Sequence, residues 1–332
     1  MVEPGEVVIL RALQLGDLLC AVPSFRAMRR AWPSARFALV GLPWSRDFVR
    51  RFSLYLDEFI EFPGYPGLPE RPVDAAALPR FLSSLQQRRA DLAVQMQGDG
   101  TVTNALVALF GARAMAGFHV PGQPPPAEGI FVPYPADRNE IRRLLSLAER
   151  LGARTTDERL EFPIGEGEEA EWHRLRADTR LVPGQYACLH PGARAEERRW
   201  PVEQFARVGK ALAERGLRVV VTGDGAEEEE RAARLAGAIE GGAITLAGKT
   251  ELGVLAALIR DAGVLVCNDT GVSHLAAAVR TASVVVFRAT EPARWAPLDR
   301  TLHRVVIDGP GAVERAVAQA RDLLAREAAS AA

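Results

Sequence analysis

Residues 6–32 read EVVILRALQLGDLLCAVPSFRAMRRAW. The VVIL run has no polar alternation, so Glu6–Leu13 reads as a strand buried on both faces. From Asp17 to Trp32 the period changes. Leu18, Val22, Phe25 and Met28 recur at helical spacing on one face. Gly16 allows a tight turn between the two elements, and Asp17 stands at or near the helix start. A buried strand followed directly by a helix is the unit of a parallel sheet.

The same alternation runs outward along the chain. Strands are predicted at Ala35–Leu42, Glu58–Phe62, Leu92–Met96 and Ala114–Phe118, with helical stretches between them. The segment His119–Asn139 breaks the rhythm with Pro121, Pro124, Pro125, Pro126, Pro133 and Pro135, and reads as a loop without regular structure. A helix is expected near Asn139–Leu151. Asp178–Gln185 (DTRLVPGQ) reads as a linker, after which the alternation restarts. Strands are expected at Tyr186–His190, Leu217–Thr222, Val264–Cys267, Val284–Phe287 and Val305–Ile307, and helices at Val202–Arg215, Ala226–Ala236, Glu251–Asp261 and Gly311–Ala328. Two α/β domains, 1–180 and 181–332, each with its own parallel sheet and facing a central cleft, account for this pattern. Their ligands would bind at the carboxyl ends of the strands.

Composition excludes several function classes. The chain has 332 residues, 48% hydrophobic and 25% charged, which suits two soluble folded domains rather than disorder. Forty-one basic against 42 acidic side chains give a net charge of −1, so a general nucleic-acid binder is not expected. No apolar run approaches the roughly 20 residues of a membrane span. The opening MVEPGEVVILRAL lacks the pattern of a signal peptide. Cys20, Cys188 and Cys267 are far apart, odd in number and without a CxxC, which fits a reducing cytoplasm.

Four strand-end turns could carry chemistry. In Gln14-Leu15-Gly16-Asp17 the aspartate is either a helix cap or a carboxylate held as a general base. In His190-Pro191-Gly192-Ala193-Arg194, continuing to Arg198-Arg199-Trp200-Pro201, backbone N–H groups and arginines are what a diphosphate requires, although a solvated charged loop would look similar. Thr222-Gly223-Asp224-Gly225-Ala226-Glu227 imitates a dinucleotide fingerprint, but Glu228 occupies the third glycine's place. Carboxylates there repel a pyrophosphate and suit ribose hydroxyls or a base amino group; helix-dipole complementation is the alternative. Asn268-Asp269-Thr270-Gly271-Val272-Ser273-His274 precedes LAAAV with no acidic residue in the first turn, so its free N–H groups form an anion seat, with His274 one turn inward. Gly242–Thr250 has five residues between its glycines rather than the four of a P-loop, and GxSxG, HExxH and DxD are absent.

Four segments carry a resemblance: LGDLLCAVPSFRAMRRAWP (15–33), HPGARAEERRWPVEQFARV (190–208), GDGAEEEERAARLAG (223–237) and CNDTGVSHLAAAV (267–279). In this order they resemble glycosyltransferase family 9, which includes the ADP-heptose:lipopolysaccharide heptosyltransferases. The resemblance implies a GT-B fold of two Rossmann-like domains, an N-terminal acceptor-binding domain and a C-terminal donor-binding one, with the last helix crossing back toward the first. It implies an inverting, metal-independent transfer of a heptose from ADP-heptose to a lipopolysaccharide inner-core or other glycan acceptor. No cofactor is expected beyond the nucleotide-sugar substrate. The protein would be cytoplasmic, in peripheral contact with the inner membrane. Asp17 would be the base. Gly16, Ala193, Arg194, Arg198, Glu227, Asp269, Thr270, Gly271 and His274 would line the donor site, Arg198 standing where the family can have a lysine on the leaving diphosphate.

Residues 11–51 hold eight arginines against Asp17 and Asp47. Arg26, Arg29 and Arg30 lie off the apolar face of the first helix and would meet an anionic acceptor, although solvated arginines would look the same. Where the family often has a histidine shortly after its first aspartate, this chain has Cys20 and Ala21. A nucleotide-sugar epimerase on the same fold, or a non-catalytic nucleotide-binding module, would use similar turns.

Overall fold

The structure is a computed structural model and describes residues 3–126, 129–239 and 242–331, with side chains to 326 at the C-terminal end. The chain forms two compact units, Met1–Arg159 and Leu160–Ala332.

The first unit has strands β1 (Glu6–Leu10), β2 (Arg36–Gly41), β3 (Glu58–Glu61), β4 (Leu92–Gln95), β5 (Ala114–His119) and β6 (Ile130–Pro133). Its helices are α1 (Leu15–Ala31), α2 (Ser45–Arg51), α3 (Ala77–Arg88), α4 (Thr103–Ala108) and α5 (Glu140–Arg150). All strand pairs are parallel, in the order β3-β2-β1-β4-β5-β6. Val7, Val8, Ile9 and Leu10 are almost wholly buried, as expected of a strand covered on both faces. The order reverses between β1 and β4, which opens a crevice at their carboxyl ends. Asp17 and Gln97 follow those two ends.

The second unit begins with α6 (Glu166–Thr179) and repeats the topology. Its strands are β7 (Tyr186–His190), β8 (Arg218–Val221), β9 (Ile244–Thr245), β10 (Val264–Asn268), β11 (Ser283–Phe287) and β12 (His303–Ile307). Its other helices are α7 (Val202–Ala213), α8 (Ala226–Ala238), α9 (Leu252–Arg260), α10 (Gly271–Ala278), α11 (Pro292–Trp295) and α12 (Ala312–Ala331). The parallel order β12-β11-β10-β7-β8-β9 places the reversal between β7 and β10. The α12 helix packs on α7, β10, β11 and β12 of its own unit.

Three sequence expectations shift. The break between units falls at Arg159–Leu160, not near 180, because α6 is anchored to the second unit. Its Trp172 is fully buried and donates Nε1–H to Asp261 at 2.8 Å, and Arg260 pairs with Glu169. The Asp178–Gln185 segment is likewise tied down, Gly184 N–H donating to the Asp261 carbonyl at 2.8 Å. The proline-rich stretch is not without regular structure, because Ile130–Pro133 pairs with β5 as an edge strand. Proline is tolerated on an edge, where one side of the ladder is unpaired.

Candidate functional site

In the first unit the site is the crevice where β1 and β4 end. The α1 helix starts at Leu15, with Gln14 as its N-cap. Asp17 is therefore the third residue of the first turn rather than the cap. Its side chain is 23% exposed, enough for the carboxylate to meet a solute. Arg11 follows β1 and is 1% exposed. Its Nε–H donates to the Asp17 carbonyl at 2.9 Å, and its Nη2 lies 3.1 Å from Glu140 Oε1 and 3.9 Å from Asp17 Oδ1. The same guanidinium also bonds the Met96 carbonyl at the end of β4. Beside it, the Ala12 N–H donates to Gln97 Oε1 at 2.8 Å, while the Gln97 amide nitrogen is buried without a hydrogen-bond partner.

In the second unit the site is the corresponding crevice between β7 and β10. Asn268 ends β10 and is wholly buried. Its amide nitrogen donates to the carbonyls of Pro191 at 2.9 Å and Gly192 at 3.2 Å, and its Oδ1 accepts the Trp200 N–H at 2.9 Å. One side chain thus shapes the whole 191–200 turn. Trp200 is buried and donates Nε1–H to Asp308 at 2.8 Å. Arg199 reaches the Ala193 carbonyl at 2.6 Å and pairs with Glu227 across the turn. Burial raises the proton affinity of Asp308, but Arg288 and Trp200 outweigh it and hold the carboxyl below its usual range.

Thr270 is the N-cap of α10, and Ser273 turns back to the Thr270 carbonyl at 2.8 Å. The first N–H groups of this helix are the orphan donors expected at any helix start. Asp269 is buried and accepts the Thr290 hydroxyl. Close approach decides the glycine at 192, since a Cβ there would stand 2.3 Å from the Glu228 carboxyl carbon. Gly225, at φ 78°, turns the chain into α8 in a region that favours glycine. Glu228 also accepts the Asp224 N–H at 3.0 Å and lies 3.8 Å from His190 Nε2. Burial pushes the His190 imidazole below its ordinary value, with Glu228 and Asp224 pulling the other way.

The structure gathers most of the predicted donor residues along this one edge. Ala193 is buried, Arg194 is exposed, and Arg198 is half-buried in the short helical turn Glu196–Arg198. Glu227 is exposed on the first turn of α8. His274 lies one turn into α10, 4% exposed, and its proximity is one of the smaller factors that disfavour a charge on the buried His303. In the first unit Gly16 is buried beside Asp17.

The acceptor-side arginines are parted from Asp17. At about 1.5 Å per residue, α1 carries Arg26, Arg29 and Arg30 roughly 14–20 Å along its axis. Arg29 there meets the Ala35 carbonyl and Asp57, just before β2 and β3 begin. Arg26 binds the carbonyls of Asp157 and Arg159 and pairs with Asp157 at 3.2 Å. Arg30 is exposed. Among the described residues no group of three or more His, Cys, Asp or Glu is placed to hold a metal ion, and no helix is long and apolar enough to cross a membrane.

The sequence profile of glycosyltransferase family 9 (heptosyltransferase) matches residues 79–318. The chain belongs to glycosyltransferase family 9. It is a glycosyltransferase, and its paired Rossmann-like units are the two domains of the GT-B type. Solved structures share this fold. A family 9 glycosyltransferase from Veillonella parvula superposes with a TM-score of 0.80 at 19% identity, over 97% of each chain. The ADP-heptose LPS heptosyltransferase II of E. coli gives 0.74 at 20%, over 97% of this chain and 99% of that one. The E. coli heptosyltransferase WaaC, solved with ADP, gives 0.69 at 21%, over 97% and 99%. No curated protein sequence is similar enough to this glycosyltransferase to count as a match.

Several residues that shape both edges escaped the sequence reading. Arg11 carried one signal, a charge directly after an apolar VVIL run. Asn268 and Arg199 stood inside motifs already noted. Nothing in the sequence indicated Glu140, which meets Arg11 from 129 positions away.

Proposed function

We propose that this glycosyltransferase moves a heptose from ADP-heptose to the inner core of lipopolysaccharide, inverting the anomeric centre without a metal ion. Asp17 takes the proton of the acceptor hydroxyl as its oxygen attacks the anomeric carbon. The bond to the diphosphate breaks, and ADP leaves with the electron pair. The observation that carries this reading is the carboxylate of Asp17, ionisable and reachable beside a buried guanidinium where β1 and β4 diverge. A general base must be held in place yet open to its substrate.

The leaving group needs compensation of its growing negative charge. In this reading Arg194, Arg198, the Ala193 turn and the Thr270–Gly271 helix start supply it. Arginine at 198 offers a bidentate fork to phosphate oxygens. Glu227 binds the ribose or base, Asp269 and His274 hold the donor segment in shape, and Gly16 gives the sugar room. An acceptor of this class is met on the cytoplasmic face of the inner membrane, and three free cysteines suit that compartment.

The test is a thermal-shift panel of nucleoside diphosphates followed by a transfer assay. A ligand that binds only the folded state at one hundred times its Kd adds about 2.7 kcal/mol of stability. ADP should raise the melting temperature selectively, and ADP-heptose with a heptose-deficient core should yield one inverted product. Selective binding of UDP or GDP would overturn the donor, and isomerisation of the donor alone would replace transfer by epimerisation.

A further inference from the structure

Arg11 is a buried cation with four engagements. It grips the Asp17 carbonyl, the Met96 carbonyl and Glu140, and stands 3.9 Å from the Asp17 carboxylate. These contacts join the first turn of α1, the end of β4 and the first turn of α5. Glu140 is itself 5% exposed and shares its other oxygen with Arg143, at 2.6 Å. Arg143 is 1% exposed. It donates to the Tyr134 hydroxyl at 2.6 Å and to the carbonyls of Pro135 at 3.3 Å and Arg138 at 3.2 Å, and lies over the Tyr134 ring at 4.3 Å. The second half of the proline-rich stretch is thus clasped to α5, and α5 holds Arg11.

We infer that Arg11 is the positioning residue of the Asp17 carboxylate, and that Glu140 sets how strongly its charge acts there. This rests on Asp17 being the base. The physical reason is that burying a guanidinium without a partner is costly, and in this row each buried charge is paired with the next, Arg11 with Glu140 and Glu140 with Arg143. A fixed guanidinium does two things for the neighbouring carboxylate. The bond to the Asp17 carbonyl holds the turn from which the side chain projects. The positive charge favours the ionised carboxylate, which is the form that accepts a proton. Facing Asp17 are Arg11 from the end of β1 and, behind it, Glu140 and Arg143 from α5. Glu140 opposes the field of Arg11 at Asp17, while Arg143 opposes that of Glu140.

Removing the Arg11 charge raises the pH at which Asp17 becomes ionised, and removing the Glu140 charge lowers it. The test measures kcat, the KM for ADP-heptose, ADP affinity and the acid limb of kcat/KM in folded full-length variants. Arg11→Lys keeps the charge and loses the fork. It should lower kcat about tenfold, on the scale of a lost orienting contact, with ADP affinity within about twofold. Glu140→Gln should move the acid limb down by about half a pH unit, and Arg11→Met combined with Glu140→Gln should move it up by about one.

A purely structural role would lower Tm and leave the limb in place. Unshifted limbs in Glu140→Gln and in the double variant overturn the inference, whether or not kcat falls in Arg11→Lys. Wild-type turnover in Asp17→Asn would instead remove the base itself. An inactive Asp17→Asn with unshifted limbs elsewhere removes only the role of Arg11. Should the double variant not fold, the limb of Glu140→Gln alone decides.

Discussion

The two carboxyl edges have the same strand order and handle charge in opposite ways. In the first unit, the end of β1 meets α1 and α5 through a row of alternating charges, the half-buried Asp17 followed by the buried Arg11, Glu140 and Arg143. In the second, the end of β10 is a neutral amide, Asn268, which shapes the 191–200 turn through three hydrogen bonds while the arginines of that turn remain half-buried or exposed. The difference suits the two tasks assigned above. A base must hold one ionised group at one place, so its neighbours are fixed charges. A donor site must accept a diphosphate and release it, so a neutral amide frames the turn and leaves Arg194 exposed and Arg198 half-buried. Burial pushes the imidazoles of His190 and His303, both in the second unit, below their ordinary value.

The largest expected effect is on the neutral frame. Asn268→Leu leaves the Pro191 and Gly192 carbonyls and the Trp200 N–H without their partner in a dry place. This should cost about 3 kcal/mol of stability and abolish ADP binding. Urea unfolding with ADP titration checks both. Retained ADP affinity would show that the turn keeps its shape without the amide.

A comparable effect should appear with pH. Burial depresses His303 from its ordinary value to about 4. Above pH 6.5 the imidazole is neutral in both folded and unfolded chains and affects nothing. Between 6.5 and 4 the unfolded chain takes up a proton that the folded one refuses, so stability falls with falling pH by up to about 3 kcal/mol. In the first unit Asp157 is held at about 2, chiefly by its hydrogen bond to Arg159. Its contribution persists until the pH falls below the ordinary carboxylate range. The second unit should therefore lose more stability between pH 7 and 5 than the first. Urea melts followed by hydrogen exchange in each unit measure this, and His303→Gln should flatten the dependence. Equal losses in both units would break the contrast.

Smaller effects sharpen it. Gly192→Ala must displace the Glu228 carboxyl, which a flexible side chain can do. About 1 kcal/mol, or roughly a fivefold loss of ADP affinity, is expected by isothermal titration. Arg30→Glu alters an exposed side chain at the far edge of the first sheet. It should raise the acceptor KM by no more than about twofold, and a tenfold rise would show that the acceptor extends along α1.

Much of this was legible in the chain because buried parallel strands are written as uninterrupted apolar runs. VVIL at 7–10 and VLVC at 264–267 needed no partner to be recognised. The four turns were legible because Gly, Asp and Thr at strand ends have few other uses. The edge strand Ile130–Pro133 was hidden by its prolines, which signal a loop by composition and are permitted here by position alone. The division between units was hidden because what places α6 is Trp172 meeting Asp261, a contact across 89 positions. Asp17 looked like a helix cap by residue type, but the helix begins two residues earlier, at Leu15. The acceptor-side arginines illustrate the remaining gap. Sequence places Arg26 and Arg29 on the polar face of α1, but only coordinates show their guanidiniums spent on Asp157 and Asp57.

The most direct measurement is turnover and ADP affinity in Asp17→Asn. The amide keeps the shape of the side chain and cannot accept the proton. If Asp17 is the base, kcat should fall by at least about 10²-fold with ADP affinity unchanged, because the residues proposed for the donor, Gly16 aside, lie in the second unit. Turnover at the wild-type rate would contradict that role.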